Sequence, residues 1–432
     1  MRIHFVGING TSMSGLMMLS AKLGAITSGS DKVDGEYFKI LKDSGMNVYQ
    51  GVNRQIAENS DLVVFSGAIP KNHPEIIESH SMERGEFLGF LSSFFEKTIA
   101  IAGTHGKTTV TAMICHALKM LKKDFSFTFG GIDSETNANW GFFGRKLLVL
   151  EACEYRDSFL SLNPTISVVT SLEYDHPDYF ENFDSLKKSF SKFASKTKET
   201  LILGNNVDKV LECTPVSVRT LAFDKNFYIS HFNHSGECIF VDNGEEIHLK
   251  INLIGESNLF NACLAYRVLK SLGLESKDIL TALSSFKGVM RRQEFLGYFE
   301  EAKCFSDYAH HPTQIKALLQ SFDTLPSVKV VFEPHTYSRT KSLMNEFSTC
   351  FDKAEEVIIL PVYEARETYD KEGDSETLFD RIKNKNKYFA NSYSDATNYL
   401  EKIIKKDDIL LFVGAGTIDD WARKIVSEKG LL

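Results

Sequence analysis

A chain of 432 residues, 43% hydrophobic and 25% charged, is long enough to bury the cores of about three domains. Its net charge of −8 argues against a surface that binds nucleic acid. Its seven cysteines form no CxxC pair, and no apolar run reaches the length of a membrane span. We therefore expect a cytoplasmic protein with reduced thiols, no membrane segment and no disulfide framework or zinc site.

Short apolar runs alternate with helical patterns along the whole chain. The following runs are typical of buried strands: 3–6, 61–65, 98–102, 147–150, 166–170, 328–332, 356–360 and 408–413. This alternation predicts α/β units on largely parallel sheets. Within the stretch 238–253, an Asp-Asn-Gly turn predicts a β-hairpin. The pattern of strand, glycine turn and helix divides the chain into three predicted domains, 1–94, 95–295 and 296–432.

The first glycine turn, GINGTSMSG, follows strand 3–6 and opens a helix, and Asp31 ends the next unit. The turn is similar to a dinucleotide fingerprint, but Asn9 and Ser12 occupy two of its glycine positions. We interpret it either as a turn whose N–H groups bind a diphosphate or as a purely structural turn. As an indication of NAD(P) binding it is weak.

The second glycine turn, GTHGKTT, lies between strand 98–102 and a predicted helix. Glycines allow backbone N–H groups to approach phosphate oxygens, and the helix N-terminus adds a favourable dipole. In such a loop Lys107 neutralises the β- and γ-phosphates, and the Thr108 hydroxyl binds Mg²⁺. The loop is shorter than the standard GxxxxGK[ST], because Ile101 stands where the first glycine is expected. The strand before it and the helix after it nevertheless predict ATP binding.

Candidate metal ligands follow two neighbouring predicted strands. Glu151 comes directly after strand 147–150, and Glu173, Asp175 and His176 come just after strand 166–170. Carboxylate oxygens suit Mg²⁺. Histidine is a less usual ligand of this ion, so the residues alone leave His176 open between a metal contact and a loop cap.

The third predicted domain carries basic and aromatic residues next to its strands. Arg291-Arg292 precede it, and either reach a phosphate or cap the interface between domains. His310-His311 are adjacent, and neighbouring side chains diverge, so the pair is a poor chelate even with Asp307 close in sequence. Arg339 follows strand 328–332, and its planar guanidinium suits a substrate carboxylate.

The order of these motifs along nearly the whole chain resembles the Mur ligases of peptidoglycan precursor synthesis. The matching strings are GINGTSMSG, SGSD, SGAIPKNHPE, GTHGKTT, GGIDSETNAN, EACEYRDSFL, EYDHPDYF, GESNLFNA, FKGVMRRQE, DYAHHPT, EPHTYSRT, YEARE and GAGTI. The resemblance implies an α/β protein with a Rossmann-like N-terminal domain for the UDP-sugar, a central P-loop ATPase and a Rossmann-like C-terminal domain for the amino acid. It implies ATP and Mg²⁺ as cofactors, UDP-N-acetylmuramate and L-alanine as substrates, and a monomer or weak homodimer.

The same resemblance implies a role for individual residues. The implied ATP-binding residues are Gly103, Thr104, His105, Gly106, Lys107, Thr108, Thr109, Asn258, Asn261, Arg291 and Asp307, and the implied metal ligands are Thr108, Glu151 and His176. The implied catalytic residues are Lys107, Glu151, His176, Arg291 and Asp307. The implied UDP-sugar residues are Asn9, Gly10, Thr11, Ser12, Met13, Ser14, Asp31, Ser66, His105 and Asn137, and Tyr308, His335 and Arg339 are implied for the amino acid.

Some positions depart from the family pattern: Asn9 and Ser12 replace glycines, Ser257 replaces a histidine, and Thr336 stands where part of the family has a second arginine. Other functions also stay open. A sister ligase or a ligase that attaches a whole tripeptide would share most motifs, although EPHTYSRT and EACEYR favour L-alanine. A nucleotide-gated switch would not need an amine-acceptor domain, and a dehydrogenase would need the missing glycines.

Overall fold

The computed structural model describes residues 1–133, 138–176, 179–211, 218–233, 236–322, 327–365 and 367–429. The chain divides into two compact units. The first unit comprises residues 1–231, 238–251 and 259–287, and the second comprises 232–237, 252–258 and 288–432. In the part of the chain that is described, no helix is both long and apolar enough to cross a membrane.

The N-terminal part of the first unit is a parallel five-stranded sheet in the order β3-β2-β1-β4-β5. Its elements are β1 Arg2–Val6, α1 Thr11–Lys22, β2 Ile26–Asp31, α2 Glu36–Asp43, β3 Asn47–Gln50, α3 Arg54–Glu58, β4 Leu62–Phe65, β5 Ser81–Glu83 and α4 Arg84–Ser92. Strands β1 and β4 are adjacent, so the loops after them lie side by side at the carboxyl edge of the sheet.

A seven-stranded sheet follows, in the order β12-β11-β10-β6-β9-β7-β8, and only β8 is antiparallel to its neighbour. Its elements are β6 Lys97–Ala102, α5 Lys107–Met120, β7 Ser126–Asp133, β8 Ala138–Phe142, β9 Leu147–Glu151, β10 Ile166–Val169, α6 Phe183–Ser195, β11 Thr200–Leu203 and β12 Arg219–Ala222. A 3-10 segment, Tyr155–Ser161, follows β9. Because β6 lies between β9 and β10, the loops after all three strands meet at one edge.

A small sheet in the order β13-β14-β15 comes next, with β13 Phe227–Phe232, β14 Glu237–Asp242 and β15 Glu245–Lys250. The predicted hairpin is confirmed, because Asn243 and Gly244 connect β14 to β15 with φ angles of 52° and 90°. Helices α7 Glu256–Ser271 and α8 Ser276–Ser285 follow.

The second unit contains a six-stranded sheet in the order β16-β17-β21-β18-β19-β20, in which only β16 is antiparallel. Its elements are β16 Glu294–Phe299, β17 Ala302–Asp307, α9 Pro312–Ser321, β18 Val328–Glu333, α10 Tyr337–Ser342, α11 Met344–Cys350, β19 Glu356–Ile359, α12 Ser375–Arg381, β20 Lys387–Phe389, α13 Tyr393–Ile403, β21 Ile409–Gly414 and α14 Ile418–Lys429. Successive strand residues face opposite sides, so Val330 and Val331 enter different cores. Both faces are therefore covered by helices, as in doubly wound α/β folds.

One buried apolar cluster in the first unit continues from the five-stranded sheet into the seven-stranded sheet. It contains Phe5 on β1, Leu16 on α1, Phe87 on α4 and Phe159 in the 3-10 segment. Burying a side chain as large as Phe87, which is fully inaccessible to solvent, contributes about 2–3 kcal/mol. This shared core fixes α1 and α4 against the strand ends that carry the candidate site.

Candidate active site

The loop between β6 and α5 requires glycine at two positions. Gly103 has a φ of 137°, and a side chain there would collide with Thr170. Gly106 has a φ of 82°, precedes the first residue of α5, and lies so close to the Asn261 amide that no side chain fits. These glycines let the chain turn tightly and present backbone N–H groups at the helix N-terminus, which is the geometry that binds phosphate.

Lys107, the first residue of α5, points back into this loop. Its ammonium donates hydrogen bonds to the Gly103 and Thr104 carbonyls, and it forms an ion pair with Glu154, with Nζ and Oε1 2.8 Å apart. Burial lowers the pKa of Lys107, but the Glu154 carboxylate outweighs it and the pKa lies above its usual value. Burial also opposes the charged form of Glu154 by raising its pKa, but the positive charge of Lys107 and the hydrogen bond with His176 bring that pKa below its usual value. Lys107 and Glu154 are therefore both charged.

Glu154 is a residue that the sequence analysis missed. It is 1% exposed, and its Oε2 atom has no hydrogen-bond partner within the described residues. Its position three residues after Glu151, in EACE, is the signal that could have identified it. A second acidic residue so close to a strand end beside a phosphate loop is a candidate partner for the loop lysine.

Thr108 and Glu151 form the oxygen-rich part of the site. The Thr108 hydroxyl donates to Glu151 Oε2 at 3.0 Å, and the Gly130 N–H donates to the same oxygen at 2.9 Å. His176 has a φ of 55°, and its Nε2 lies 3.7 Å from Glu154 Oε1. Burial opposes protonation of His176, but Glu154 and Asp175 hold its pKa above the usual value. The His176 carbonyl also accepts the N–H groups of Tyr179 and Phe180, so the residue caps a turn as well.

A hydroxyl and a carboxylate in contact suit Mg²⁺, which prefers oxygen ligands and keeps several of its waters. Across the residues described, no group of three or more His, Cys, Asp or Glu side chains is arranged to hold a metal by itself. The donors that the structure brings together are thus the Thr108 hydroxyl and the Glu151 carboxylate, which fit Mg²⁺ by their chemistry.

The remaining loop residues lie against the chain after β10. The Thr104 hydroxyl contacts Ser171 Oγ at 3.0 Å and accepts the N–H of Glu173 at 3.1 Å. His105 Nε2 lies 3.2 Å from Glu173 Oε2. Thr109 is half-buried on the first turn of α5. The residues after β10 thus hold the loop that follows β6, so the ends of these two adjacent strands together determine the shape of the loop.

The N-terminal turn is shaped by Asn9 and Asp31. The Asn9 N–H donates to Asp31 Oδ2 at 2.8 Å, and the Asn9 side-chain oxygen accepts the N–H of Phe38 at 3.3 Å in the first turn of α2. The side-chain amide packs onto Gly35, where a side chain would collide with it. Asn9, at a position where the motif that the chain resembles has glycine, therefore joins the turn to α2.

The other predicted UDP-sugar residues surround the start of α1. Gly10 is the N-cap residue, Ser66 lies beside Gly7 at the end of β4, and the Ser14 hydroxyl donates to the Thr11 carbonyl. The Met13 side chain is buried in the core, and Asn137 lies outside the described residues. Asn139, which the sequence analysis missed, donates to the Thr11 carbonyl and joins this turn to β8.

In the second unit, Arg291 has a φ of 59° and donates to the carbonyls of Gly414 and Gly416 at 2.9 and 3.1 Å. Its guanidinium lies 4.8 Å from the centre of the Tyr308 ring. Asp307 accepts the N–H groups of Gln293 and Ala309, both at 2.8 Å, and burial raises its pKa. Asp307 thus fixes the backbone that carries both Arg291 and Tyr308.

His335 and Arg339 are neighbours on successive turns after β18, with the Arg339 Nη1 atom 2.9 Å from His335 Nδ1. Thr336, at the position of the family's second arginine, has a φ of 67°, which is strained for a β-branched residue. Burial is the main cause that lowers the pKa of His335 and of His310, and the positive charge of Arg339 is the second cause. The pKa of His310 falls to about 3. Neutral histidines thus lie beside a charged guanidinium.

The two asparagines predicted for the nucleotide have different neighbours. Asn261, on α7, lies against Gly106 in the first unit. Asn258, which belongs to the second unit, donates to the Ile254 carbonyl at 2.8 Å and to the Gln293 side chain at 3.0 Å. Asn261 therefore lies against the phosphate loop of its own unit.

The fold and this site define a class: α/β proteins with a phosphate loop whose lysine and threonine face two carboxylates. Three family models match along the chain: "Mur ligase family, catalytic domain" at residues 2–83, "Mur ligase middle domain" at 101–269 and "Mur ligase, glutamate ligase domain" at 291–416. The UDP-N-acetylmuramate–L-alanine ligase of Caldicellulosiruptor bescii is 37% identical to this chain, over 97% of this chain and 96% of that protein. The chain belongs to the Mur ligase family.

Solved structures agree with this assignment. The UDP-N-acetylmuramate–alanine ligase of Thermotoga maritima matches with a TM-score of 0.79 and 26% identity over 99% of both chains. A murein peptide ligase of Psychrobacter arcticus matches with a TM-score of 0.68 over 100% of this chain and 99% of that one, and at 20% identity it supports the fold alone. The expected α/β, three-domain architecture is confirmed.

Proposed function

We propose that this protein uses ATP to join L-alanine to the lactyl carboxylate of UDP-N-acetylmuramate, in peptidoglycan precursor synthesis. The observation that carries the proposal is the contact of Lys107 and Thr108 with Glu154 and Glu151 at the edge of a sheet, in a member of the Mur ligase family. The three family segments support assigning residues 1–94 to the UDP-sugar, 95–295 to ATP and 296–432 to the amino acid. We further propose that the enzyme acts in the cytoplasm as a monomer or weak homodimer.

The reaction has two steps. A lactyl carboxylate oxygen attacks the γ-phosphorus of ATP, the bond to the bridging oxygen breaks, and ADP leaves with that electron pair. The neutral amine of L-alanine then attacks the acyl phosphate carbonyl, the carbon–oxygen bond to phosphate breaks, inorganic phosphate leaves with that electron pair, and the amine proton passes to water. Activation is needed because a free carboxylate is a poor acylating agent, whereas phosphate is a good leaving group. Catalysis consists mainly of positioning and charge neutralisation.

Lys107 exchanges one anion for another when ATP binds. In the structure its partner is Glu154, and a phosphate placed on the N–H groups of the loop offers a stronger negative charge. The ammonium then neutralises the β- and γ-phosphates, which lowers the repulsion between the carboxylate and the phosphoryl group. The nearby Asn261 and the tight Gly106 turn keep this loop in its binding shape.

Thr108, Glu151 and His176 are the residues that would hold Mg²⁺. When bound, the ion would supply positive charge to the phosphate oxygens. The Glu151 oxygen that accepts the Thr108 hydroxyl is oriented by the Gly130 N–H, and His176 is oriented toward Glu154. These contacts hold the oxygen donors before nucleotide arrives.

The second unit would bind the amino acid. Arg339 has no carboxylate within ion-pair distance among the described residues, and its guanidinium is suited to the carboxylate of L-alanine. Neutral His335 lies beside Arg339, and the aromatic ring of Tyr308 lies beside Arg291. These two rings would limit the size of the side chain that the bound amino acid can carry. Arg291 and Asp307, which the family resemblance implies for ATP, would hold the backbone and the ring of Tyr308 in place.

The proposal is tested by ADP release from the purified protein with UDP-N-acetylmuramate and Mg²⁺-ATP, offered L-alanine, glycine, L-serine or the tripeptide in turn. We expect release that requires both the sugar nucleotide and L-alanine, with the adduct identified by mass. Release with the tripeptide and not with L-alanine would assign the protein to tripeptide attachment. No substrate-dependent release would contradict the proposed UDP-sugar.

A further inference from the structure

Arg84, the first residue of α4, places its guanidinium between two serine hydroxyls. Its Nη1 donates to Ser12 Oγ at 3.3 Å, and its Nη2 donates to Ser158 Oγ at 3.4 Å. Ser12 lies in the first turn of α1, beside the N-terminal glycine turn, and Ser158 lies in the 3-10 segment that follows the Glu151 strand. The guanidinium thus connects the predicted UDP-sugar turn to the edge of the sheet that carries the phosphate loop.

The charge environment of Arg84 differs from that of Lys107. Among the described residues no carboxylate lies within ion-pair distance of Arg84, although the side chain is half-buried. Burial raises the pKa of the Cys153 thiol, and Arg84 is one of the cations that oppose this, which places the guanidinium near the residue preceding Glu154. By contrast, Lys107 in the same unit has Glu154 as its partner. A half-buried cation whose hydrogen bonds, among the described residues, go to neutral hydroxyls is a site that an anion would complete.

The backbone around Arg84 is held firmly in place. A side chain at Gly85 would come within 2.7 Å of Ser158 Cβ, so α4 and the 3-10 segment are in direct contact. Glu83 and Glu86 form a capping box at the start of α4. Arg156 and Asp157 have left-handed φ angles of 53° and 56°, and this double turn directs Ser158 toward the helix.

We propose that Arg84 is a further binding residue for the sugar nucleotide, where its guanidinium and the Ser12 and Ser158 hydroxyls bind an anionic oxygen pair of the diphosphate or of the lactyl carboxylate. This inference rests on the proposed function. Both groups offer two oxygens in the spacing that the arginine fork matches. Lysine, a point charge, does not reproduce that match, so Arg84→Lys is an informative variant.

The experiment measures by calorimetry the affinities of UDP, UDP-N-acetylglucosamine, UDP-N-acetylmuramate and ADP for the intact chain and for Arg84→Lys and Arg84→Met. We expect UDP-N-acetylmuramate to bind about 10- to 100-fold more weakly to both variants, with ADP binding unchanged. Arg145→Lys is the matched control, because Arg145 is exposed and donates to the Leu23 carbonyl at 3.2 Å, away from both glycine turns. It is expected to bind all four ligands as the parent does.

The ligand series identifies which anion is bound. An equal loss for the three UDP compounds assigns the diphosphate, and a loss confined to UDP-N-acetylmuramate assigns the lactyl carboxylate. Unchanged affinity for every UDP compound in both variants overturns the inference, as does a loss of ADP binding in Arg84→Lys, which would make the residue structural. If the unmodified protein binds ADP and no UDP compound, the proposed function itself is wrong.

Discussion

The phosphate-loop region, which comprises residues 103–109 with Glu151 and Glu154, and the proposed amino-acid region, which comprises Arg291, Tyr308, His310, His335 and Arg339, handle charge in opposite ways. In the first, Lys107 is neutralised by Glu154 within the protein, and Thr108 is already bonded to Glu151. In the second, Arg291 donates to backbone carbonyls and Arg339 contacts a neutral histidine, and neither has a carboxylate partner among the described residues. We therefore propose that the loop exchanges Glu154 for phosphate when ATP binds, whereas Arg339, which has no carboxylate within ion-pair distance among the described residues, pairs with a substrate carboxylate.

Lys107→Ala removes the cation that is paired with Glu154 in the phosphate-loop region. We expect turnover to fall by at least about 10²- to 10³-fold, because no other ammonium in this loop can neutralise the phosphates. The rate of ADP release with all substrates present measures this. Lys123→Ala, at an exposed position after the same helix, should leave the rate unchanged. Near-normal ADP formation in Lys107→Ala would contradict the assignment.

Arg339→Ala tests the other side of the comparison. We expect the KM for L-alanine to rise by about 10- to 100-fold with little change in the KM for ATP, because a charge-assisted hydrogen bond to the amino-acid carboxylate is lost. Steady-state kinetics with each substrate varied in turn provide the measurement. Lys341→Ala on the same helix, whose ammonium pairs with Asp370 and Glu372, is the control. A change confined to ATP would place the amino acid elsewhere.

Glu154→Gln tests whether phosphate replaces Glu154 as the partner of Lys107. Removing one charge of a buried pair leaves Lys107 uncompensated, so we expect the nucleotide-free protein to lose about 3 kcal/mol of stability. ADP should then raise the thermal midpoint more in this variant than in the parent, because phosphate replaces the missing charge. Glu199→Gln, in an exposed pair with Lys97, should change neither value. A smaller ADP-induced shift in Glu154→Gln would argue against the exchange.

The neutral histidines of the amino-acid region predict a pH dependence. Burial, followed by the positive charge of Arg339, lowers the pKa of His310 in the folded protein from its usual 6.5 to about 3. Between these two values, only the unfolded chain takes up a proton at this histidine. Stability present at neutral pH is therefore lost as the pH falls, by about 2 kcal/mol between pH 7 and pH 5. Thermal midpoints at the two pH values should differ less in His310→Gln than in the parent. Exposed His248→Gln should behave like the parent.

The sequence predicted eight of the strands well because buried parallel strands are continuous apolar runs, whereas strands such as β2, β3 and β11 were not predicted. All eight predicted strands are confirmed, with ends that shift by one residue at most, as at Glu151 and Val169. The tight turn at the phosphate loop was equally predictable from its glycines, because Gly103 and Gly106 adopt backbone conformations that residues with side chains disfavour. These features depend on local chemistry, which a single chain displays directly.

Partners distant along the chain could not be predicted in this way. The Asn9 side chain reaches Phe38, Asn139 reaches Thr11, and Arg84 reaches both Ser12 and Ser158. Nothing in the local pattern around these residues indicates those contacts, because they arise when separate strands and helices pack. The spacing of Glu154 from Glu151 could have marked it as a candidate partner of the loop lysine, but only the folded chain shows the ion pair itself.

The acyl phosphate step is tested most directly by following oxygen from the lactyl carboxylate. UDP-N-acetylmuramate labelled with ¹⁸O in that carboxylate is turned over with ATP and L-alanine, and the released inorganic phosphate is analysed by mass. We expect one labelled oxygen in each phosphate, because the carboxylate oxygen that attacks the γ-phosphorus leaves with it. Phosphate without label, formed alongside the alanine adduct, would contradict an acyl phosphate intermediate.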